Sequence, residues 1–134
     1  MIGTGVYEVE VGGKTIGFQF GMLASAYTED VAGTSIFEVF KKIGTGAAEL
    51  PLIHYFYGGA RAYNEFRNVT DEETYKDSNG NERKRYVARK VTVPAVSMYL
   101  EEIGLNKAVE IYLKSIEAYV PKNGIAPAVT GQEV

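Results

Sequence analysis

From residue 6 the chain alternates in side-chain character, with Val6, Glu8 and Glu10 interleaved with Tyr7, Val9 and Val11. Gly12-Gly13 follows, and then a second apolar run from Ile16 to Phe20. Alternation on both sides of a two-glycine turn predicts a β-hairpin, because glycine supplies the positive φ that tight hairpin turns require. A lone hairpin is marginal in water, so it must pack on something or extend a sheet. After Gly21 the period changes. Met22, Leu23, Ala26, Tyr27 and Val31 recur at helical spacing, and Gly33 is placed to stop that helix. Ser35 and Glu38 fit a capping box ahead of a short helix carrying Ile36, Phe37, Phe40 and Ile43, which Gly44 and Gly46 end.

Pro51 suits the first turn of the next helix, where its missing N–H is not needed. From Leu52 to Phe66 that helix is apolar or aromatic on most sides, the mark of a central, buried element. Gly58-Gly59 inside it costs about 1 kcal/mol per glycine relative to alanine, which close approach of a neighbouring helix explains better than a kink. Residues 68–91 are too polar for a core: Asp71, Glu72 and Glu73, then Asp77-Ser78-Asn79-Gly80-Asn81, then a basic run. Asn79-Gly80 is a strong turn pair and Tyr75, Tyr86 and Val87 suit strands, so this segment reads as a protruding charged hairpin or mobile arm inserted between helices. Thr92 can cap a further helix with Pro94 in its first turn and Val96, Tyr99, Leu100 and Ile103 on one face, closed by Gly104. The final helix carries Leu105, Ala108, Val109, Tyr112, Leu113, Ile116, Tyr119 and Val120 at spacings of three and four, with Glu110 and Lys114 paired on its polar side and Pro121 ending it.

These elements define an α+β chain, mainly helical, with an N-terminal β-hairpin followed by four or five helices. The expected organisation is one globular domain over residues 1–120, carrying the arm 68–91, and a flexible tail over 121–134. There is no internal repeat. With 46% hydrophobic and 23% charged residues the 134-residue chain has enough apolar surface for a core without staples, and with no cysteine it has neither disulfides nor thiolate ligands. The beginning of the chain lacks a signal-peptide pattern and no apolar run reaches a bilayer's width, so a cytoplasmic protein without membrane contact is expected. The net charge of −3 gives no global attraction to nucleic acid. The charge is nevertheless uneven: residues 1–60 carry three basic and six acidic groups, whereas Arg83, Lys84, Arg85, Arg89 and Lys90 crowd into one short stretch.

Residues suited to chemistry are scarce. His54 is the lone histidine and sits in the apolar central helix, where a hydrogen-bonded core role explains it; without a second histidine or any cysteine it has no partners for a metal site. Ser25, Ser35, Ser97 and Ser115 fall in helical contexts as cap or surface residues, with no strand–elbow–helix pattern. Asp71-Glu72-Glu73 can supply a carboxylate pair, but a charge run in a loop is ordinarily solvated. Gly3-Thr4-Gly5 and Gly44-Thr45-Gly46 lack the P-loop ending and the dinucleotide-binding spacing. The expectation is therefore a protein that is not an enzyme, uses no cofactor or metal, and works by binding. Arg83, Arg85 and Tyr86, with Arg89, can contact phosphates and stack a base, or meet an acidic protein patch. The plainer reading is a solvated arm offset by Asp71, Glu72, Glu73 and Asp77. With ten tyrosines, six phenylalanines and no tryptophan, the chain is rich in aromatic surface. Phe37, Phe40, Tyr55, Tyr112 and Tyr119 are the aromatic candidates for partner contact, although Tyr55, Tyr63, Tyr112 and Tyr119 are equally explained as core.

The order of these parts resembles a family. Tyr7-Glu8-Val9-Glu10-Val11-Gly12-Gly13-Lys14, followed by Ile16-Gly17-Phe18-Gln19-Phe20-Gly21-Met22, is similar to the opening of tail assembly chaperones of long-tailed, siphovirus-like bacteriophages and prophages, where a Gly-Lys hairpin runs through a Phe-Gly-Met step into a first helix. Leu52-Ile53-His54-Tyr55-Phe56-Tyr57-Gly58-Gly59 resembles the family's central helix, and Thr92 to Ile103 its later threonine-initiated helix. The charged arm 68–91 departs from the pattern in being longer. The resemblance implies a chaperone in the cytoplasm of the bacterial host that keeps the tape-measure protein soluble and helps recruit tail-tube subunits without joining the virion. It further implies, in many members, a longer frameshifted form, for which the segment 122–134 would suit as the extension point. Two other readings stay open: a structural tail or head–tail connector component, and a small nucleic-acid-binding module using the basic arm. A homo-oligomer is compatible with all three.

Overall fold

Gly12 and Gly13 decide where the first turn falls. Both take positive φ, 58° and 81°, so β1 (Val6–Val11) folds back antiparallel on β2 (Lys14–Gln19), with Val6 opposite Gln19 and Val11 opposite Lys14. Over the residues that the computed structural model describes, 5–46 and 49–119, three helices follow: α1 (Met22–Ala32), α2 (Ile36–Gly44) and α3 (Glu49–Arg67). A second hairpin, β3 (Thr70–Lys76) and β4 (Glu82–Ala88), precedes α4 (Val93–Ile103), α5 (Leu105–Ser115) and a closing 3₁₀ turn over Ile116–Tyr119. The architecture is α+β, and no described helix is long and apolar enough to cross a membrane.

Local chemistry sets the helix ends. Gly33 closes α1 in the left-handed region with φ 72° and returns its N–H to the Glu29 carbonyl. Ser35 caps α2 by accepting the Glu38 N–H at 3.2 Å, and a second free donor, the Ile36 N–H, goes to the Glu29 carboxylate of α1 at 2.8 Å. Thr92 caps α4 by accepting from the Ala95 N–H. The four helix starts and stops that the sequence marks with Gly33, Ser35, Thr92 and Gly104 are all in place.

The core is assembled around α3. Ile16 and Phe18 of β2, and Phe20 just after it, point into it; Phe18 meets Phe56 edge-on at 5.0 Å between ring centroids, and Phe20 stacks on Tyr55 at 4.5 Å. On the opposite side of β2, Tyr63 of α3 lies against Gly17, where any side chain would collide with the ring, and its hydroxyl donates to Glu8 at 2.5 Å. Gly58 of α3 serves close approach of a helix, as expected, whereas Gly59 makes room for the Phe20 ring at the end of the first hairpin. Gly58 faces Ala24 and Thr28, the wholly buried face of α1, and a Cβ on Gly59 would stand 2.6 Å from the Phe20 ring. Thr28 satisfies its buried hydroxyl by donating to the Ala24 carbonyl at 2.9 Å. The α1 face is thus built on Ala24 and Thr28, neither of which belongs to the apolar series read from the sequence. Of that series Met22 is exposed and Leu23, Tyr27 and Val31 are half-buried.

Phe40 of α2 joins the helices. Its ring lies 5.6 Å from Tyr55, 6.0 Å from Tyr112 and 5.5 Å from Tyr119. Ser115, expected at a cap or on the surface, is instead completely buried beneath this cluster. Its hydroxyl lies 2.5 Å from that of Tyr55 and donates to the Tyr112 carbonyl at 2.7 Å. Burial holds the Tyr55 phenol well above its ordinary pKa, so it stays neutral. Tyr55→Phe is expected to cost about 1 kcal/mol in urea unfolding, because Ser115 keeps its carbonyl partner.

The last helix differs from its expected course in two ways. It tightens into the 3₁₀ turn at Ile116 rather than running on, and Tyr119 at the end of that turn ties back to α1. The Tyr119 hydroxyl accepts from Gly21 N–H and Ser25 Oγ and donates to the Gly21 carbonyl, each at 3.2 Å. The buried arc is also rotated. Ala108, Ile111, Tyr112 and Ser115 face inward, while Leu105, Val109 and Leu113 from the expected apolar face look outward. The Glu110–Lys114 pair is present at 3.3 Å, with Lys107 joining at 3.6 Å. The expected tail over 121–134 lies outside the described residues.

Residues 68–91 form the expected hairpin. Asn68 leaves α3 in the left-handed region, φ 50°, which asparagine tolerates. The Arg89 N–H bonds the Val69 carbonyl at 3.0 Å, so the two roots of the hairpin lie side by side. At the tip Asp77 accepts from the Asn79 and Asn81 N–H groups and from Arg83, each at 2.9 Å, and these bonds hold its carboxyl below an aspartate's ordinary 3.8. A depressed folded pKa stabilises above the unfolded value and is lost as pH falls through the folded one. Protection factors at Asn79 and Asn81, which correct for the slower intrinsic exchange in acid, should therefore fall as pH drops below 3.8 while core amides keep theirs. A uniform loss of protection across the chain would contradict this local account.

Candidate functional site

The basic arm does not present bare positive charge. Arg85 meets Glu73, Arg89 meets Asp71 at 2.8 Å, Arg83 meets Asp77 at 2.9 Å and Lys84 stands 3.9 Å from Glu72. The guanidinium of Arg85 also lies over the Tyr75 ring, 4.6 Å from its centroid. Each pair is solvent-exposed and contributes about 0–1 kcal/mol. Together they offset the run against the acids of the neighbouring strand, the plainer of the two sequence readings. Tyr86 is 73% exposed and stands opposite Glu72.

Two clefts flank the roots of this hairpin. The larger, about 420 Å³, is lined by Tyr57, Arg61, Asn64, Arg89 and Lys90 among others, and the smaller, about 160 Å³, by Gly17, Tyr63 and Tyr99. The two arginines of the larger cleft are already engaged. Arg61 stacks 3.8 Å from the Tyr27 ring centroid and donates to the Tyr57 hydroxyl, and Arg89 holds Asp71. His54 is half-buried on α3 with its imidazole pKa lowered by burial, and no hydrogen bond to it occurs among the described residues, unlike the bonded core role expected. No group of three or more potential metal ligands occurs among the described residues.

A different surface is open. Between the start of α3, α4 and α5 runs a groove of about 360 Å³ floored by Leu52, Ile53, Leu100 and Ala108 and edged by Leu105, with Glu49 and Glu101 on its rim. Leu105 is 66% exposed, and Val109 and Leu113 continue from it at successive turns of α5. Met98 of α4 is exposed as well. A line of large apolar side chains left in water beside an apolar groove is what a helix-accepting surface requires. The acidic rim favours a partner with basic residues flanking its apolar stripe.

The aromatic candidates divide. Phe37 is 71% exposed at the outer end of a chain of rings that runs inward through Phe40, 6.3 Å away. Phe40 and Tyr119 are half-buried within the cluster, whereas Tyr55 and Tyr112 are core residues, so of the five only Phe37 stands free as a contact. Leu105, Val109, Leu113 and the groove were missed because the sequence reading placed these three on the buried face of α5 and left out Ile111, which the fold buries. The signal was present: Leu105, Ala108, Val109, Ile111, Tyr112 and Leu113 cover a wider arc than one packed side of an eleven-residue helix can bury.

Comparison of the chain with protein-family models, with curated proteins and with solved structures found no match.

Proposed function

We propose that this protein is a non-catalytic assembly chaperone of the kind used by long-tailed bacteriophages. It covers the apolar stripe of a long helical partner, the tape-measure protein, and helps bring tail-tube subunits to it. The observation that carries this reading is the uncovered line Leu105, Val109 and Leu113 beside the groove between α3, α4 and α5. An amphipathic helix laid there buries its own apolar face together with these three side chains, and basic residues at its margins meet Glu49 and Glu101. Reversible cover needs no cofactor, and the resemblance of Tyr7 to Met22 and of Leu52 to Gly59 to the chaperone family points to the same task.

Co-expression of the full chain with a tape-measure protein encoded beside it should raise the soluble fraction of that partner severalfold and yield a complex on size exclusion. No gain in solubility together with no complex overturns the proposal. Mass spectrometry of purified particles separates it from a structural tail or connector role, since a chaperone is missing from the finished particle and a structural component is not.

A further inference from the structure

The second hairpin has two strand edges that differ in charge. β3 carries Asp71, Glu72 and Glu73, and β4 carries Arg83, Lys84 and Arg85, with Arg89 and Lys90 just beyond. The two strands pair with each other, and no third strand joins them among the described residues. Both faces are largely exposed, with every residue of the two strands exposed except Glu73, Tyr75 and Val87, which are half-buried. Bonds at the two ends of the ladder, Arg89 N–H to the Val69 carbonyl and Asp77 N–H to the Asn81 carbonyl, fix its phase. Because hydrogen-bonded and outward-facing pairs alternate along an antiparallel ladder, the backbone groups of Thr70, Glu72, Thr74 and Lys76 point away from β4, and those of Glu82, Lys84, Tyr86 and Ala88 away from β3. Each seven-residue edge is therefore a free template for another strand.

Charge decides which strand fits. Pairing two β3 edges sets Asp71, Glu72 and Glu73 against the same acids, and pairing two β4 edges sets Arg83, Lys84 and Arg85 against the same bases; like charges across a ladder are unfavourable. Pairing a β4 edge with a β3 edge places each basic side chain between two acidic strands and extends the ion pairs already present within the hairpin. We propose that this hairpin is a head-to-tail self-association element, in which the acidic edge of β3 in one copy adds to the basic edge of β4 in the next. The contact joins two different surfaces, so it does not close on itself as a two-fold dimer does; each copy keeps one acceptor and one donor edge, giving rings or open chains. The area is small, so association depends on protein concentration and weakens with salt.

Thr74→Pro and Lys84→Pro test the edges separately, since each removes an outward N–H and spares the ladder between β3 and β4. Sedimentation of the full chain at rising concentration should show growth beyond two copies. Each proline variant alone should stop at the monomer, and an equimolar mixture should stop at two chains, because only one compatible pair of edges remains. A chain that is monomeric throughout, or proline variants that assemble like the parent, overturns the proposal. Should proline unravel the hairpin, as judged by loss of amide protection at Tyr75 and Arg85, a second pair decides. Thr74→Cys and Lys84→Cys are the only cysteines in their chains, and an oxidised mixture should hold more of the mixed disulfide than random collision gives. A statistical mixture overturns the proposal.

Discussion

Gly58→Ala is expected to destabilise the protein by about 1–3 kcal/mol, in a helix position where alanine normally gains about 1 kcal/mol over glycine. The reversal comes from what the new methyl group meets. It would run into the Thr28 hydroxyl and the Ala24 carbonyl, and the second of these is backbone that cannot turn aside without moving α1. The pair α1 and α3 is the helix contact on which Thr28 and Ala24 are wholly buried, so displacement opens the core. Urea denaturation of the single variant and of Gly58→Ala combined with Thr28→Ala checks the mechanism. Removing the hydroxyl should recover part of the loss and leave the part due to the Ala24 carbonyl. A Gly58→Ala variant more stable than the parent would show that the helices are not held at the separation described.

Leu105→Glu carries the largest expected effect on binding. The side chain is two-thirds exposed, so the folded chain should change by no more than about 0.5 kcal/mol. An acid placed beside Glu49 and Glu101 at the edge of the groove removes an apolar anchor and leaves a charge that an apolar stripe cannot pair. Affinity for the helical partner should fall by at least about thirtyfold, the size of a hot-spot loss near 2 kcal/mol. Met22→Glu, on another helix and more exposed still, serves as the control and should bind as the parent does. Titration calorimetry with the partner measures both, and equal losses in the two variants would remove the groove from consideration.

The parts of the fold that were legible in the sequence are those in which local chemistry has one solution. Gly12-Gly13 can only turn, Gly33 suits a left-handed stop, and Ser35 and Thr92 have hydroxyls to offer free amides. Asn79-Gly80 likewise placed the tip of the charged hairpin, with Gly80 at φ 81°. What stayed hidden depends on partners distant in the chain. Thr28 is buried because Gly58, thirty residues on, leaves room for it, and Ser115 is buried because Tyr55 needs a hydroxyl neighbour. The spacing of Ala108, Ile111, Tyr112 and Ser115 is helical, but choosing that arc over Leu105, Val109 and Leu113 requires knowing where α3 and α2 lie. The candidate surface was hidden for the same reason, since it consists of the residues that the fold declines to cover.

The side-by-side roots of the second hairpin carry one more consequence. Because Val69 and Arg89 are joined by a backbone bond, everything between them is an appendage whose removal leaves no gap for the remaining chain to span. A short two-residue link across that junction should restore an intact helical body, and the same junction can accept a hairpin of different length or sequence. Core and appendage are thus free to change at different rates, the first bound by its packing and the second only by what it meets.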